Sequence, residues 1–298
     1  MPELPEVQTT VNGLNDLVKN HKIEDVWSSY NSAYESGKDN IKNLSFFKNF
    51  KKAVVGKKIL YAQRRGKNIL IFLSGGIVIL VHMKMTGHFL YGPYKKQKDI
   101  WVPLEDGALK DPFNRHVRLV FSLSHGKHLA LADTRRFAKV TFFSKGALEK
   151  TLHLKDLGPE PLESDFSPLT LKQRIIKRTS SPIKTVLMDP KIIAGIGNIY
   201  SDEALFRANI SPLRKVSTLS DKEIKTLHKS IVEVLKKGID FGGDSMSDYR
   251  NIYGERGNFQ GAHEAYRRTG ELCRKKMCKG KIVRKVINGR SAHFCDTH

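Results

Sequence analysis

Near the start of the chain, Val7, Thr10, Val11, Leu14, Leu17 and Val18 recur at spacings of three and four, which predicts a helix with one core-facing stripe. From residue 22 to about 145 the period shortens. KIEDVWSSY, KKILYAQ, NILIFL, GIVILVHM, HVRLVFSL, KHLALAD and AKVTFF are short, rich in Val, Ile, Leu and Phe, and bounded by Gly, Ser or charged turns. Such runs predict the strands of a sandwich or barrel. YGPYKKQKDIWVPLEDGALKDPFN has little periodicity and reads as a long loop. LGPEPLESDFSP, with its prolines, reads as a linker. Helical spacing then returns over 169–178, 183–187, 198–209 and 221–237, the last with Ile224, Leu227, Ile231, Val234 and Leu235 on one face. FGGDSMSDYRNIYGERGNFQG is glycine-rich and polar, hence a loop, and short strand-like pieces follow from Tyr266. The pattern predicts an α+β protein: an N-terminal β-sandwich, a helical module and a small C-terminal metal module.

Charge sharpens this picture. The 298 residues are 40% hydrophobic, ordinary for a globular chain, but 52 Lys+Arg stand against 30 Asp+Glu, a net +22. Such an excess favours a polyanionic partner, above all nucleic acid. A membrane-surface protein is also often basic. Here, however, no apolar run reaches the roughly 18 residues of a membrane span, and the acidic N-terminus carries no apolar signal core. A soluble, unexported, cytoplasmic chain is expected. The three cysteines all lie beyond residue 272, so no disulfide framework is predicted.

The tail reads Cys273-x4-Cys278-x16-Cys295-x2-His298. Two close pairs separated by a hairpin-length gap suit tetrahedral zinc, each pair on a tight turn. The alternative is three unrelated buried cysteines, yet so polar a segment has little core without a metal. His293 is the reserve for His298, whose terminal position frays readily. Between the pairs, RKKMCKGKIVRKVINGR holds no acid; it is either a solvated face or a phosphate-binding finger. In AGIGNIY, Gly195 and Gly197 precede a helix that Asn198 can cap, an anion-binding arrangement that also serves plain helix packing. Lys184 sits in a helical first turn, where the dipole favours anions, so a ligand is the better reason for it. QRRGKNILIF places Arg64, Arg65 and Lys67 around a turn between strands. HMKMTGHF and DTRRFAK place Met85 and Phe137 at strand ends, where core packing is the alternative, with Arg135 and Arg136 beside Phe137.

The chain opens MPELPEV. Pro5 and Glu6 suit a helical first turn, but Pro2 and Glu3 precede it. Removal of Met1 before so small a residue would leave Pro2 with a free secondary amine. An α-amine of pKa near 8 is roughly one-tenth unprotonated at neutral pH and can attack a carbonyl-like carbon.

MPELPEV, RRGK, HMKMTG, DTRRF, LGPEPL, PIKTVLMD, AGIGNIYSDEAL and the gapped Cys tail occur in this order over the whole chain. The sequence thereby closely resembles the bacterial formamidopyrimidine-DNA glycosylases, within the wider family that includes the endonuclease VIII type. The resemblance implies a β-sandwich domain flanked by helices over 1–150, a linker at 151–162, a helix–two-turn–helix module with a lesion-capping loop over 163–262, and a zinc finger β-hairpin over 263–298. It implies a monomer acting on damaged double-stranded DNA, nucleoid-associated, with no membrane. The activity would be excision of oxidised purines followed by β,δ-elimination at the abasic site. Pro2 would be the nucleophile, Glu3 the acid–base carboxylate, Glu6 a second carboxylate near the lesion, and Lys67 a phosphate-contacting lysine. Asn198 and Arg290 would pinch the backbone, and Met85, Arg135 and Phe137 would fill the gap left by the flipped base. The loop around Ser245 and Tyr249 would close over that base. One structural Zn2+ would be held by Cys273, Cys278, Cys295 and His298. The widened first gap and His298 in place of a fourth Cys depart from the family pattern. Leu4, where the endonuclease VIII branch usually has Gly, and Lys184, which that branch lacks, favour the purine-specific branch over a glycosylase for oxidised pyrimidines. The intact Pro2–Glu3 pair argues against a non-catalytic lesion-binding module.

Overall fold

The computed structural model describes residues 1–30, 39–148, 151–246 and 248–298. Two compact units emerge, Met1–Lys155 with Gly242–Asn258, and Asp156–Phe241 with Phe259–His298. The first contains α1 (Leu4–Leu17), β1 (Ile23–Ser28), α2 (Leu44–Val54), β2 (Ile59–Arg65), β3 (Asn68–Leu73), β4 (Ile77–His82), β5 (His88–Gly92), β6 (Tyr94–Gln97), β7 (Ile100–Pro103), β8 (Val117–Leu123), β9 (His128–Ala132) and β10 (Lys139–Ser144). Two antiparallel sheets, ordered β1-β8-β9-β5 and β10-β4-β3-β2, form the sandwich.

Two-residue alternation builds its core. Leu119, Phe121 and Leu123 of β8 and Leu129 and Leu131 of β9 share one cluster with Ile69, Ile71 and Leu73 of β3 and Ile79 and Val81 of β4. Val7, Val11 and Leu14 of α1 and Phe50 and Val54 of α2 join it. Some of the alternate positions of the first sheet are also apolar. Leu90, Val117, Val120 and Ala130 lie under Trp27, Trp101 and Leu109, so part of that sheet's other face is covered as well.

Some elements escape the sequence pattern. α2 falls in a tract read as strands. Asn43 caps it by accepting from Phe46 N at 2.9 Å, and Phe50 and Val54 are its only fully buried side chains. The tract 91–114 is not all loop, since it holds the end of β5 and the β6–β7 hairpin, which turns at Lys98 (φ +54°). The loop beginning at 242, expected with the helical module, belongs to the first unit. Ile252 enters the sandwich core, and a Cβ on Gly13 of α1 would stand 2.4 Å from its Cγ2. The boundary expected at 150/151 touches residues 149–150, outside the described residues.

The second unit contains α3 (Pro168–Ile175), α4 (Ile183–Leu187), α5 (Asn198–Ala208), α6 (Asp221–Asp240), β11 (Ile282–Ile287) and β12 (Arg290–Cys295). α6 starts with a reciprocal Ser220–Glu223 capping box and packs against α3 and α5. β11 and β12 form an antiparallel hairpin turning at Asn288 (φ +47°) and Gly289 (φ +75°), the Asn-Gly chemistry of a two-residue turn. Among the described residues, no helix is long and apolar enough to cross a membrane.

Candidate active site and metal centre

One end of the sandwich collects most of the expected active-site residues. α1 runs antiparallel to β2: Gln8 Oε1 accepts from Arg64 Nε at 3.0 Å, and Asn15 exchanges two hydrogen bonds with the Ala62 backbone further along. Pro2 and Glu3 therefore stand where β2 turns into β3 through Gly66 and Lys67. β4 ends at the same place, with His82 paired to Asn68 and Lys139.

Pro2 is buried and Glu3 is 3% exposed. Glu3 and Glu6 form a reciprocal capping box at the start of α1, with Glu3 N donating to Glu6 Oε2 at 2.7 Å. The other oxygen of Glu6 accepts from Asp244 N at 2.8 Å, and its carbonyl accepts from Tyr249 OH at 3.0 Å. Glu6 thus joins the first helical turn to the 242–257 loop. Gly243 is required there: at φ +86° a Cβ would stand 2.9 Å from Glu6 Cγ. Ser245 is wholly buried; its hydroxyl donates to Tyr249 O and accepts from Gly257 N, both at 2.8 Å. Arg250, absent from the sequence expectations, anchors the loop through both Asp111 carboxylate oxygens at 3.2 Å and lies over the Phe113 ring.

Met85 and Phe137 are 39% and 42% exposed although each leads away from a core strand. The Arg135 guanidinium lies 4.6 Å from the Phe137 ring centroid, a cation–π contact. A buried carboxylate that the sequence did not reveal fixes both loops. Asp133 accepts from Tyr30 OH and from Ala138 N, each at 2.8 Å, and from Thr86 Oγ1. Thr86 Oγ1 in turn accepts from Arg135 N at 3.0 Å.

His82, beside Lys67, is held neutral. Burial first, then the charges of Lys84 and Lys67, push its pKa down from 6.5 to about 3. Below about pH 6.5 the unfolded chain takes up a proton that folded His82 refuses, so stability falls as pH drops from 6.5 towards 3. His82→Asn should flatten the acid limb of urea midpoint plotted against pH; an unchanged limb would assign the acid sensitivity to other groups.

In the second unit, α4, α5 and β12 meet at Asp202. Lys184, only 1% exposed, pairs its ammonium with Asp202 Oδ1 and lies 3.4 Å from Asn198 O. Asp202 Oδ2 accepts from His293 N at 2.9 Å and lies 3.0 Å from His293 Nδ1. The side-chain oxygen of Asn198 is buried without a hydrogen-bond partner among the described residues. Amide orientation is an assignment, so this position can present an acceptor or a donor to a ligand. Nearby, Lys184, Thr185, Met188, Asp189, Asn288 and Arg290 line a cavity of about 180 Å³.

Cys273, Cys278, Cys295 and His298 present ligand atoms all within 4.8 Å of one another. Cys278 Sγ lies 3.7 Å from Cys295 Sγ, close to the ~3.8 Å edge of a tetrahedron with Zn–S near 2.3 Å. Cys273 Sγ lies 3.4 Å from His298 Nε2. Thr297 Oγ1 is 3.1 Å from both Cys278 and Cys295 Sγ. Its hydrogen bond first, then that from Gly280 N–H, lowers the Cys278 thiol to about 7. The group can hold a metal ion. His293 stands outside it, engaged with Asp202. The widened first gap has a structural use: Lys275 reaches back to Phe206 O and Asn209 Oδ1 at the C-terminus of α5. Phe206 packs on the cysteine cluster itself.

Two stretches of the chain match known domains. Residues 1–140 match the formamidopyrimidine-DNA glycosylase N-terminal domain, and residues 157–250 match the formamidopyrimidine-DNA glycosylase H2TH domain. A sandwich of this kind joined to that helical module defines a class of DNA repair glycosylases. The formamidopyrimidine-DNA glycosylase of Pelotomaculum thermopropionicum is 37% identical over 100% of this chain and 98% of its own. The MutM (Fpg) crystal structure from Thermus thermophilus has a TM-score of 0.79 at 34% identity, covering 99% of this chain and 98% of that one. A Lactococcus lactis Fpg mutant in complex with Fapy-dG containing DNA has a TM-score of 0.82 at 30% identity and the same coverage. The chain belongs to the formamidopyrimidine-DNA glycosylase family.

Proposed function

We propose that this chain excises oxidised purines, 8-oxoguanine and formamidopyrimidines, from duplex DNA and then cleaves the abasic strand by β,δ-elimination. The carrying observation is Pro2 and Glu3 fixed by the capping box at the same end of the sandwich as Lys67, Met85, Arg135 and Phe137. Once Met1 is removed, the Pro2 nitrogen attacks C1′ of the damaged nucleotide. Glu3 protonates the sugar ring oxygen as the ring opens, and the base leaves with its bonding electron pair and takes up a proton. The resulting iminium is an electron sink that acidifies the 2′ proton; Glu3 moves protons as the strand breaks. Elimination expels the 3′ and then the 5′ phosphate.

Lys67 contacts a phosphate, and Asn198 and Arg290, with Lys184 behind them, hold the backbone at the lesion. Met85, Arg135 and Phe137 replace the flipped base, recovering part of the few kcal/mol that flipping costs. Glu6 ties the loop of Ser245 and Tyr249 to the first helix, at the base pocket. One zinc, held by Cys273, Cys278, Cys295 and His298, supplies fold rather than chemistry. Elemental analysis should find one zinc per chain, and active protein without metal would refute the site.

Borohydride should trap a covalent adduct with duplex containing 8-oxoguanine or an abasic site, not with undamaged duplex, and peptide mapping should place the link at Pro2. A link elsewhere would remove Pro2 as nucleophile. Arg135→Ala should erode the preference for the base opposite the lesion, whereas Arg290→Ala should weaken binding to every duplex alike. The salt slope for Arg290→Ala should become shallower by about one. Equal losses over all four opposite bases for Arg135→Ala would exclude its role.

A further inference from the structure

The proposed chemistry uses one end of the sandwich; the other end carries an unexplained excess of positive charge. The turns there are 18–23, 54–59, 73–77 and 123–127, joined by hydrogen bonds from Ile23 N to Lys57 O, Ser124 N to Lys22 O and Ser74 N to Lys58 O. β2, β9 and β4 start at this pole and run to the end that holds Lys67, Asp133 and His82. Lys19, Lys22, Lys52, Lys58, Lys127 and Lys145 are all exposed on it, and none of them forms an ion pair among the described residues. Lys51 is already matched by Asp25 at 2.6 Å, and the turns 18–23, 54–59, 73–77 and 123–127 themselves contain no Asp or Glu.

Lys22 and Lys58 are also direct partners across an antiparallel bridge. Like charges in that position are destabilising, so the pair costs the fold something that an anion would return. The poles lie at opposite ends of strands that span roughly 20 Å, about twice the Debye length at physiological salt. A duplex held at the Pro2 end therefore gains little attraction from these lysines.

We propose that this pole is a second DNA-binding surface, which grips the phosphates of another duplex segment while the Pro2 end holds the first. The choice of DNA as the polyanion rests on the proposed function; the surface does not depend on the chemistry. The combined Lys22→Gln, Lys58→Gln, Lys127→Gln variant tests it. Two short undamaged duplexes, one with a donor dye and one with an acceptor, should show energy transfer on adding the native chain, in a complex containing a single chain by sedimentation. The Gln variant should lose this transfer, and the matching triple Arg variant should keep it. Single-turnover excision from a short lesion duplex should be the same in all three. Any residual bridging by the Gln variant at low salt should show a log–log salt slope shallower by up to about three, from lost counterion release at the pole. Equal bridging by the Gln variant, bridging only through two chains, or capture of anionic vesicles in preference to the second duplex would overturn the proposal. Bridging by a chain that excises nothing would leave it standing and would count against the proposed glycosylase activity alone.

Discussion

Glu3→Gln should bind a lesion-containing duplex as tightly as the native chain and excise the base about 10²–10⁴-fold more slowly, the usual contribution of a positioned proton donor. The substitution separates chemistry from folding because a glutamine oxygen can still accept from Glu6 N and keep the capping box. A partner experiment places one extra residue before Pro2. That converts the secondary amine into an amide, which cannot form an iminium, so borohydride trapping and strand cleavage should both disappear. Burial of Pro2 and Glu3 makes the site sensitive to this addition, so lesion affinity and the thermal midpoint belong in the same series. Normal trapping by protein whose N-terminal amine is shown to be blocked would overturn the mechanism, and Lys67 and Lys184 would be the next nucleophiles to test.

Legibility followed the physics of each element. The sandwich strands were readable because their alternate residues are Val, Ile, Leu and Phe, as in Leu119, Phe121 and Leu123. α2 was not, because Phe46, Phe47 and Phe50 resemble a strand when the partners that bury Phe50 are unknown. The β6–β7 hairpin was hidden because Lys95 and Lys96 mask a cover whose work is done by Tyr94 and Trp101. The residues that touch DNA in the proposed mechanism could be read from motifs. The residues that hold them could not. Asp133, Asp202, Arg250 and Thr86 are single polar side chains whose importance comes from burial and from partners tens of residues away. Sequence spacing carries no record of such contacts. Even the 242–257 loop, legible as a loop, revealed its partner only through Glu6 and Ile252.

Asp202→Ala should be the most damaging single change in the second unit, costing about 3–5 kcal/mol, the penalty for removing one partner of a buried ion pair. The substitution takes the carboxylate from the Lys184 ammonium at 1% exposure and leaves the His293 backbone N–H and Nδ1 without their Asp202 acceptor. Asp202→Asn should cost less, since an amide oxygen can still accept one of these bonds. The double variant Lys184→Met, Asp202→Leu removes both charges and replaces them with apolar groups of similar size, a change that is often neutral or stabilising for a buried pair. Stability should therefore return in part in the double variant, the His293 N–H still lacking its acceptor. Affinity for a lesion duplex should not, because Asn198 O loses the Lys184 ammonium and β12, which begins at Arg290, loses its tie to α5. Urea midpoints and duplex titrations on the same preparations separate the two effects. A double variant that recovers affinity along with stability would show that the Asp202 network serves the fold alone, and a native-like midpoint for Asp202→Ala would show that the charges are not paired in solution.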